Sequence, residues 1–564
     1  MKKYNLFKVL AITVIVTWIL TLFIPSSYLD YSGKVVTDSV SGLGIVGLLS
    51  NLSISISYFN GIAVFLIAVA CFYAIISKLD VYNKFVDNTA TTFKNKEGLL
   101  VTITIIVFGV LACLVKDAMI LIMFMPFIYQ VMKKLEIDKK VILSSTIIAT
   151  FVGAMNGIYD NTLFTTFNLK VNTLLLVKLI VLVLSLAILI FFTAPKKVKD
   201  SNSKKTAKKT SDKKAVKAST KSTTVKTVKK QNSKERKVNK VVYAILTLLL
   251  GTIGINKFYA GKIKAGILNI IFCWTLVPTI LSIVEFITVL TEKADKDGKI
   301  PVNSNRRENV LFATSLVLFV LFAIATIIPW ESLFAKFTAF SDFNTWLSNL
   351  KVGKYQIFNN VIGAPMATDS ATGSTTGVIS AIGSWAMTDM AIFLFIITAV
   401  IAICKKIKLD EFISSATSGI KKVLPVAITA MLISIVLVIS VTTGINTTIC
   451  NWIATLSKGF NIATATLSTM VGSVLTADFY YFVSSVASIF TGIASDTNLY
   501  GVVALIAQSI YYLMMIIAPT SVGLIIGLYY LDIPYGKWFK YIWKVLLSLF
   551  VLIMISVIIV FVLV

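Results

Sequence analysis

The chain has 564 residues, of which 57% are hydrophobic and only 14% are charged, and its mean hydropathy is +0.87. This composition excludes an ordinary soluble globular protein and predicts an all-α polytopic membrane protein whose first partner is the lipid bilayer. Histidine is absent, which excludes imidazole metal ligands, a histidine proton relay and a Ser-His-Asp triad. We therefore expect neither an enzyme nor a bound metal.

Two long apolar regions flank a polar centre. We expect residues 1–195 to form a first half and 309–564 a second half, with roughly a dozen membrane crossings between them. The first apolar run follows Met1-Lys2-Lys3, which favours a cytoplasmic N-terminus of a multi-pass protein in the cell membrane. Its lack of a small-residue cleavage site indicates a retained helix and not a signal peptide.

The two halves begin alike. Their first helices end at Ile24-Pro25-Ser26 and Ile328-Pro329-Trp330, and later helices end at Lys78-Leu79-Asp80 and Lys408-Leu409-Asp410. This similarity predicts two repeated helical bundles with broken or re-entrant helices, an arrangement in which secondary transporters hold a solute near the membrane midplane. Chance similarity is an alternative, and the sequence does not distinguish inverted from parallel repeats.

A polar interruption of the first half is a candidate for binding a solute or an ion. Its candidate residues are Gly153, Asn156, Gly157, Asp160, Asn161 and Thr162. Glycines would allow backbone to approach a solute, the amide and hydroxyl would donate or accept hydrogen bonds, and Asp160 would bind a coupling cation or a basic group. The alternative is an external turn, because the same residue types dominate turns.

Residues 196–240 form a strongly basic segment. It contains eighteen Lys or Arg and three acidic residues, so 18 − 3 leaves +15 of the chain's net charge of +27. With few large apolar side chains, it is expected to be a disordered cytoplasmic linker that contacts anionic lipid loosely. We expect no specific nucleic-acid binding.

Residues 241–292 contain two apolar runs around a glycine-rich turn, and a polar linker follows at 293–308. This segment resembles the two-transmembrane-helix (TM2) domain at Gly251, Gly254, Lys257, Phe258, Tyr259, Gly261 and Gly266. The resemblance implies an inserted two-helix hairpin that serves as an accessory or interaction module. Glu285 lies in the second run. If it is buried in the membrane, a partner such as Lys257 or Lys264 would offset the cost of its charge; the alternative is that Glu285 lies near the cytoplasmic end.

Three further interruptions fall in the second half, and their candidate residues are Thr443, Gly444 and Asn446, then Asp478, and finally Gln508, Pro519, Thr520 and Ser521. Each would expose backbone groups or polar side chains within apolar surroundings. The alternatives are a turn outside the membrane for the first and an ordinary proline kink for the last.

The closing segment, Ile517-Ala518-Pro519-Thr520-Ser521 through Tyr535-Gly536-Lys537-Trp538 to Trp543, is similar to the C-terminus of the YfcC-like, C4-dicarboxylate anaerobic carrier family. Gly153 to Thr162 resembles that family's glycine-rich break, and Gln508 precedes Pro519 by eleven residues, as the family's glutamine precedes its proline. The resemblance implies a secondary active transporter of a small carboxylate-bearing or amino-acid-like solute. Family glycines are missing around Asp478 and between Gln508 and Pro519, so the solute does not carry over.

Coupling to an ion gradient, or solute exchange, would drive such a carrier. For H⁺ the titrating group would be Asp160 or Asp478, and for Na⁺ the ligands would be backbone carbonyls with Thr443, Asn446 and Thr520. The carrier could also form a homo-oligomer. The alternative function is a membrane scaffold or sensor, in which a degenerate carrier body presents the basic linker and the hairpin to partners.

Overall fold

The structure is a computed structural model. It describes residues 3–30, 34–158, 163, 166–169, 174–194, 236–272, 277–302, 305–334, 338–353, 355–356, 364–368, 375–378, 382–494 and 496–564. The chain forms two compact units, Met1–Pro195 with Val320–Val564, and Lys196–Phe319. Both are built from α-helices, as the composition predicts, so the all-α membrane fold class is confirmed.

The first unit begins with residues 1–195. Its helices are α1 (Lys3–Thr21), α2 (Ile45–Ile76), α3 (Asp80–Thr92), α4 (Glu97–Leu114), α5 (Met125–Lys134), α6 (Lys139–Leu143), α7 (Ala149–Met155) and α8 (Leu175–Thr193). A 3₁₀ segment (Ala118–Phe124) precedes α5, and a π-helical segment (Ser144–Ile148) joins α6 to α7.

The second unit contains strands β3 (Lys237–Asn239) and β4 (Lys299–Pro301) and helices α9 (Lys240–Leu250), α10 (Ile255–Tyr259), α11 (Ile263–Phe272) and α12 (Val277–Thr291). The strands pair antiparallel, with Val238 opposite Ile300, and α9 packs against α12. The described part of this unit begins at Arg236, inside the range expected for the basic linker. The remainder of that linker, 196–235, lies outside the described residues.

The rest of the chain begins in the second unit and enters the first at Val320, within its first helix. Its helices are α13 (Asn305–Ile327), α14 (Trp330–Leu333), α15 (Ala339–Asn349), α16 (Met387–Cys404), α17 (Leu409–Thr443), α18 (Ile445–Ala454), α19 (Ile462–Leu475), α20 (Phe479–Phe482), α21 (Ile489–Ile493), α22 (Tyr500–Met515), α23 (Val522–Tyr530) and α24 (Tyr535–Leu563). A π-helical segment (Val483–Ala487) separates α20 from α21, and a 3₁₀ turn (Thr497–Leu499) precedes α22.

Strands in the described part of the first unit form only short two-stranded ladders. They are β1 (Ser27–Leu29) with β2 (Val35–Thr37), β5 (Lys351–Val352) with β6 (Tyr355–Gln356), and β7 (Ala364–Thr368) with β8 (Thr375–Val378), all antiparallel. Ladders of this length close loops between helices and contribute no core of their own.

Several helices in the described part of the chain could cross a bilayer. Within the described residues, α4, α8, α17, α22 and α24 are long and apolar enough, and α2 is a sixth if its two arms, bent by 45°, count as one span. Seven more apolar helical stretches are only 10–17 residues long. The expectation of roughly a dozen crossings stays a prediction, since several of the shorter stretches belong to helices such as α1, α13 and α16 that are 18 residues or longer.

Helices from both sequence halves interlock in the first unit. The long helix α2 packs along α17 and α16, and α22 packs against α19, α7 and α24. Nearly every residue of α22 is buried, including the polar residues Gln508 and Ser509. A helix that is buried on all sides is a core element, so polar groups on α22 must find partners inside the protein.

Candidate functional site

The first predicted interruption follows a tight helix crossing. A Cβ atom added to Gly153 on α7 would lie 2.1 Å from the Gly109 carbonyl oxygen and 2.7 Å from the Ala112 Cβ on α4. Only glycine permits this approach of two backbones. The crossing fixes where α7 ends, because Met155 is its last residue and the chain then leaves the helix at Asn156 and Gly157.

The end of α7 is tied to the end of α4. The Ile158 amide donates to the Cys113 carbonyl oxygen at 3.1 Å, and the Cys113 thiol donates to the Asn156 carbonyl oxygen at 3.2 Å. These bonds satisfy groups that the helix end leaves without intrahelical partners. The Asn156 side chain is fully buried, and its Nδ2 donates to the Val152 carbonyl oxygen at 3.0 Å.

Gln508 reaches this break from the second half of the sequence. Its Nε2 donates to the carbonyl oxygens of Ala154 and Gly157, each at 3.1 Å, and the residue is 2% exposed. A Cβ on Gly157 would lie 2.9 Å from that nitrogen. The structure therefore brings together Gly153, Asn156, Gly157 and Gln508, four of the predicted site residues.

A buried lysine completes this cluster, and the sequence analysis missed it. Lys178 lies on α8, is 3% exposed, and donates from Nζ to the Gly157 carbonyl oxygen at 2.9 Å and to Gln508 Oε1 at 2.5 Å. A lysine inside an apolar helix is itself a signal of function, because an ammonium ion is costly to bury. We call Asn156, Gly157, Lys178 and Gln508 the lysine cluster.

One acceptor of the lysine cluster has no hydrogen-bond partner among the described residues. The Asn156 Oδ1 atom is buried, whereas the amide nitrogen of the same side chain donates back to α7. A buried acceptor without a donor costs roughly 1–3 kcal/mol. Such an atom next to a broken helix is where a ligand group can form a bond that the free protein lacks.

A second group of predicted residues gathers around the end of α19. The Thr520 hydroxyl donates to the Val474 carbonyl oxygen at 2.7 Å, and the Asn446 amide nitrogen donates to the Thr476 hydroxyl. Asp478 follows two residues later, and its Oδ1 accepts from the Tyr481 amide at 3.1 Å. This group joins three of the four predicted interruptions through residues 474–478.

The remaining predicted residues shape the same helix ends. Thr443 donates to the Ile439 carbonyl oxygen within α17, and Ser521 Oγ accepts from the Leu524 amide at the start of α23. Gly444 ends α17 with a φ of +67°, and a Cβ there would lie 2.5 Å from the Ser27 carbonyl oxygen. Pro519 lies in the turn between α22 and α23. These residues build the breaks, and their hydroxyls already have backbone partners.

An acidic residue from the first half lies near Asp478. Asp117 follows α4, accepts from the Met119 amide at 3.0 Å, and its charge interacts with that of Asp478. Asp117 is not among the predicted site residues, although an acid directly after an apolar run is the same signal as at Asp478. Asp160, Asn161 and Thr162 lie outside the described residues.

No group of three or more His, Cys, Asp or Glu side chains that could hold a metal ion occurs among the residues that the structure describes. Oxygen atoms offered by the helix breaks are instead backbone carbonyls, amides and hydroxyls. Such neutral oxygen ligands suit a monovalent cation or a hydrogen-bonding solute better than a tightly held divalent metal.

The second unit has a buried polar network of its own. Glu285 on α12 is 3% exposed, and it accepts from Lys257 Nζ at 2.6 Å, from Tyr243 OH at 2.7 Å and from Asn256 Nδ2 at 3.1 Å. Lys257 is one of the two partners that the sequence analysis considered for Glu285. Donors from α9 and α10 therefore converge on one carboxylate of α12.

The glycine-rich turn makes this network possible. Gly254 has a φ of +76°, and a Cβ there would lie 2.8 Å from the Gly266 carbonyl oxygen, so the turn is closed too tightly for a side chain. The Asn269 amide nitrogen donates to the Gly251 carbonyl oxygen at 2.9 Å. The turn thus places α10, with Asn256 and Lys257, directly after α9.

Comparison with known protein families identifies this unit. Residues 236–287 match the model of the TM2 domain. The chain belongs to the TM2 domain family. The TM2 domain of this chain is 50% identical over 54 residues to the uncharacterized membrane protein YozV of Bacillus subtilis (strain 168), a match that covers 10% of the chain and 68% of that protein. The prediction of a TM2 domain is confirmed, and Glu285 and Lys257 both lie within the matched residues.

No solved structure matches the chain significantly. The TM2 domain match ends at residue 287, so it gives no family for the helices that carry the lysine cluster. The membrane character of the chain is supported by its apolar helices and by the TM2 domain. The similarity of residues 1–195 and 309–564 to YfcC-like carriers stays a prediction.

Proposed function

We propose that the chain is a secondary active transporter of a small carboxylate-bearing or amino-acid-like solute, built on a YfcC-like, C4-dicarboxylate carrier body. The observation that carries this proposal is the lysine cluster. A positive charge, two backbone carbonyl oxygens and a side-chain amide converge at the end of a broken helix, inside apolar helices contributed by both halves of the sequence. Transporters bind polar solutes at sites of this kind.

The chemistry of the cluster favours a carboxylate. A carboxylate oxygen bonds an ammonium group more strongly than a neutral carbonyl does, so a solute carboxylate can take the place of a neutral acceptor at Lys178 Nζ. The Gln508 amide and the Asn156 Oδ1 atom can then bond the remaining polar groups of the solute. Binding at a buried site also removes competing water, which strengthens each of these bonds.

Transport requires that the site open to each side in turn. The breaks after α4, α7, α17, α19 and α22 end helices inside the first unit, and such breaks allow helix segments to move as rigid bodies about a fixed site. We propose that Asp117 and Asp478, near the end of α19, carry the coupling proton, or that the carrier works by exchange. An enzymatic activity is not proposed.

Orientation follows from charge. We propose that the protein lies in the cell membrane with its N-terminus and residues 196–240 at the cytoplasmic face, since basic segments beside membrane helices are retained there. The same segment would contact anionic lipid loosely. A homo-oligomer is compatible with this arrangement.

The test is a thermal-shift screen of the purified full chain against dicarboxylates, amino acids and peptides, followed by uptake into proteoliposomes. A ligand that binds the folded state alone raises the melting temperature. Lys178→Met should abolish the shift and the uptake, whereas Lys458→Met, which removes an exposed lysine from a loop, should leave both unchanged. Asp160→Asn should abolish uptake or its coupling while the protein still inserts; unchanged gradient-driven uptake would contradict that residue's role.

The scaffold or sensor alternative has a distinct result. Deletion of residues 196–307 should leave uptake intact in a carrier, whereas a scaffold should lose its cellular phenotype with the basic segment and the TM2 domain. A solute shift that is present in the full chain and equally large in Lys178→Met would keep the transporter and refute the lysine cluster as its site. No shift with any solute class would favour the scaffold.

A further inference from the structure

We propose that the Lys178 ammonium is a tethered cation: it fills a cation-binding position formed by oxygen atoms of the broken helix, so the carrier needs no sodium ion there. The inference deepens the proposed function, and its consequence for transport rests on that function. It is carried by three observations on the lysine cluster, namely the geometry at Nζ, the fixed orientation of Gln508 and the unpartnered oxygen of Asn156.

The first observation is the set of oxygens around Nζ. The Gly157 carbonyl oxygen, at 2.9 Å, lies past the last residue of α7, where the carbonyl groups lose their helical partners. The second oxygen, Gln508 Oε1, lies at 2.5 Å. Backbone carbonyls at helix breaks, together with amide oxygens, are the ligands with which membrane carriers coordinate sodium.

The second observation is that the oxygen of Gln508 is aimed by its own amide nitrogen. Nε2 donates to the carbonyl oxygens of Ala154 and Gly157, so the side chain cannot rotate its oxygen away without breaking two bonds. Gly157 then accepts from both Nζ and Nε2, which uses both lone pairs of its carbonyl. The oxygens are therefore arranged before any solute binds, as a cation site requires.

The third observation is the buried Asn156 Oδ1, which accepts no hydrogen bond within the described part of the chain. It is one residue from Gly157, so the same break holds a further neutral oxygen. A lysine ammonium has three donors and no acceptor, and it can bond neutral oxygens such as these in the way that a small cation does. The side chain reaches them from α8, and because the residue is only 3% exposed, these oxygens take the place of water at its charge.

A tethered charge changes the energetics of transport. A bound sodium ion can dissociate and so transmit its gradient to the solute, whereas Lys178 stays with α8 in every state. The Lys178 ammonium fills the cation-binding position, so no sodium ion binds there and a sodium gradient cannot drive transport through it. The driving force at this site is therefore a proton or the exchange of one solute for another.

The experiment measures melting of the purified full chain in sodium, potassium and choline chloride, over an about hundredfold range of salt with choline holding the ionic strength constant. Lys178→Ala removes the ammonium and leaves room for an ion. Its melting temperature should rise on the order of 2 °C with sodium or potassium relative to choline, whereas that of the unaltered protein should not. Two controls should lose the response: Lys178→Met, which fills the room, and Lys178→Ala with Gln508→Leu, which lacks an oxygen.

Two outcomes would overturn the proposal: no cation-specific rise in Lys178→Ala, or a sodium-specific rise of equal size in the unaltered protein. If Lys178→Ala fails to accumulate in membranes, adding Gln508→Leu should restore accumulation, because the unfilled acceptor is then gone; failure of both variants also refutes it. The melting response does not depend on transport. A cation response of Lys178→Ala in a protein that binds and transports no solute would therefore refute the proposed function alone. Solute uptake together with a sodium-specific rise in the melting temperature of the unaltered protein would refute the tethered cation alone.

Discussion

Glu285 of the TM2 domain offers the sharpest energetic test. Its carboxylate accepts from three donors, and the Lys257 side chain that supplies the charge is 16% exposed. Lys257→Met keeps the length of the side chain and removes the charge, so a buried carboxylate is left with the neutral donors of Tyr243 and Asn256. Removing one partner of a buried ion pair costs about 3–5 kcal/mol. Two remaining donors and the partial exposure of Lys257 reduce the expected cost to about 2–3 kcal/mol.

Hydrogen exchange of the full chain in detergent measures this cost locally. Backbone amides of α9 and α12 exchange through opening of the hairpin, and each ~1.4 kcal/mol of lost stability accelerates that exchange about tenfold. Lys257→Met should therefore accelerate exchange in both helices by roughly 30- to 150-fold. Helix α22, in the other unit, should show no change, which separates hairpin opening from global unfolding.

The chain offers a matched control in the same unit. Lys237 and Asp295 form an ion pair of 2.8 Å whose side chains are 48% and 30% exposed. Lys237→Met makes the same chemical change where water and salt weaken the attraction, so its effect on exchange should be far smaller. Equal acceleration by Lys257→Met and Lys237→Met would refute the claim that the buried ion pair contributes more stability than the exposed one. Lys257→Met with Glu285→Leu should recover much of the loss, because no buried charge then remains.

Two other predictions follow from contacts described above. Gly153→Ala should lower the melting temperature of the full chain, at a cost of about 1–3 kcal/mol or more, because its Cβ would lie 2.1 Å from the Gly109 carbonyl oxygen, whereas Gly536→Ala, with open space around its Cβ, should leave melting unchanged or raise it slightly. The Lys237 hydrogen bond and the Lys299 amide lower the pKa of Asp295 below the usual 3.8, so its stabilisation of the β3–β4 ladder is fully present above that pH and is lost as the pH falls through the lower value. Hydrogen exchange of the β3–β4 amides, corrected for intrinsic exchange rates, should accelerate at low pH in the unaltered protein and not in Asp295→Asn. The same acceleration in both proteins would contradict the role of Asp295.

The sequence predicted the TM2 domain well because its signals are local. The glycines of the turn, Lys257 and Glu285 all lie within residues 236–287, and the bond between Lys257 and Glu285 is made inside that range. Periodicity and glycine spacing carry that information directly. The helix class of the whole chain was equally accessible, because composition alone excludes other ways of satisfying backbone groups in lipid.

The contacts of Lys178 could not be predicted from the sequence, for a physical reason. One lysine hardly alters the mean hydropathy of the run that forms α8, so the run reads as an ordinary span. Its partners lie 21 and 330 residues away in the chain, at Gly157 and Gln508. Only packing of α7, α8 and α22 brings them together, and the period of a single helix carries no record of that packing.

Polar residue type alone did not separate binding residues from residues that shape the helix ends. The hydroxyls of Thr443, Thr520 and Ser521 bond backbone groups, as serine and threonine at helix ends commonly do. The lysine cluster differs because it buries a full charge beside the neutral oxygens of Gly157 and Gln508, and a charge that is costly to bury is a candidate for binding. Removing the Thr520 hydroxyl should therefore cost stability, whereas removing the Lys178 charge should change ligand binding. If Thr520→Val altered solute affinity as strongly as Lys178→Met does, the end of α19 and not the lysine cluster would be the binding site.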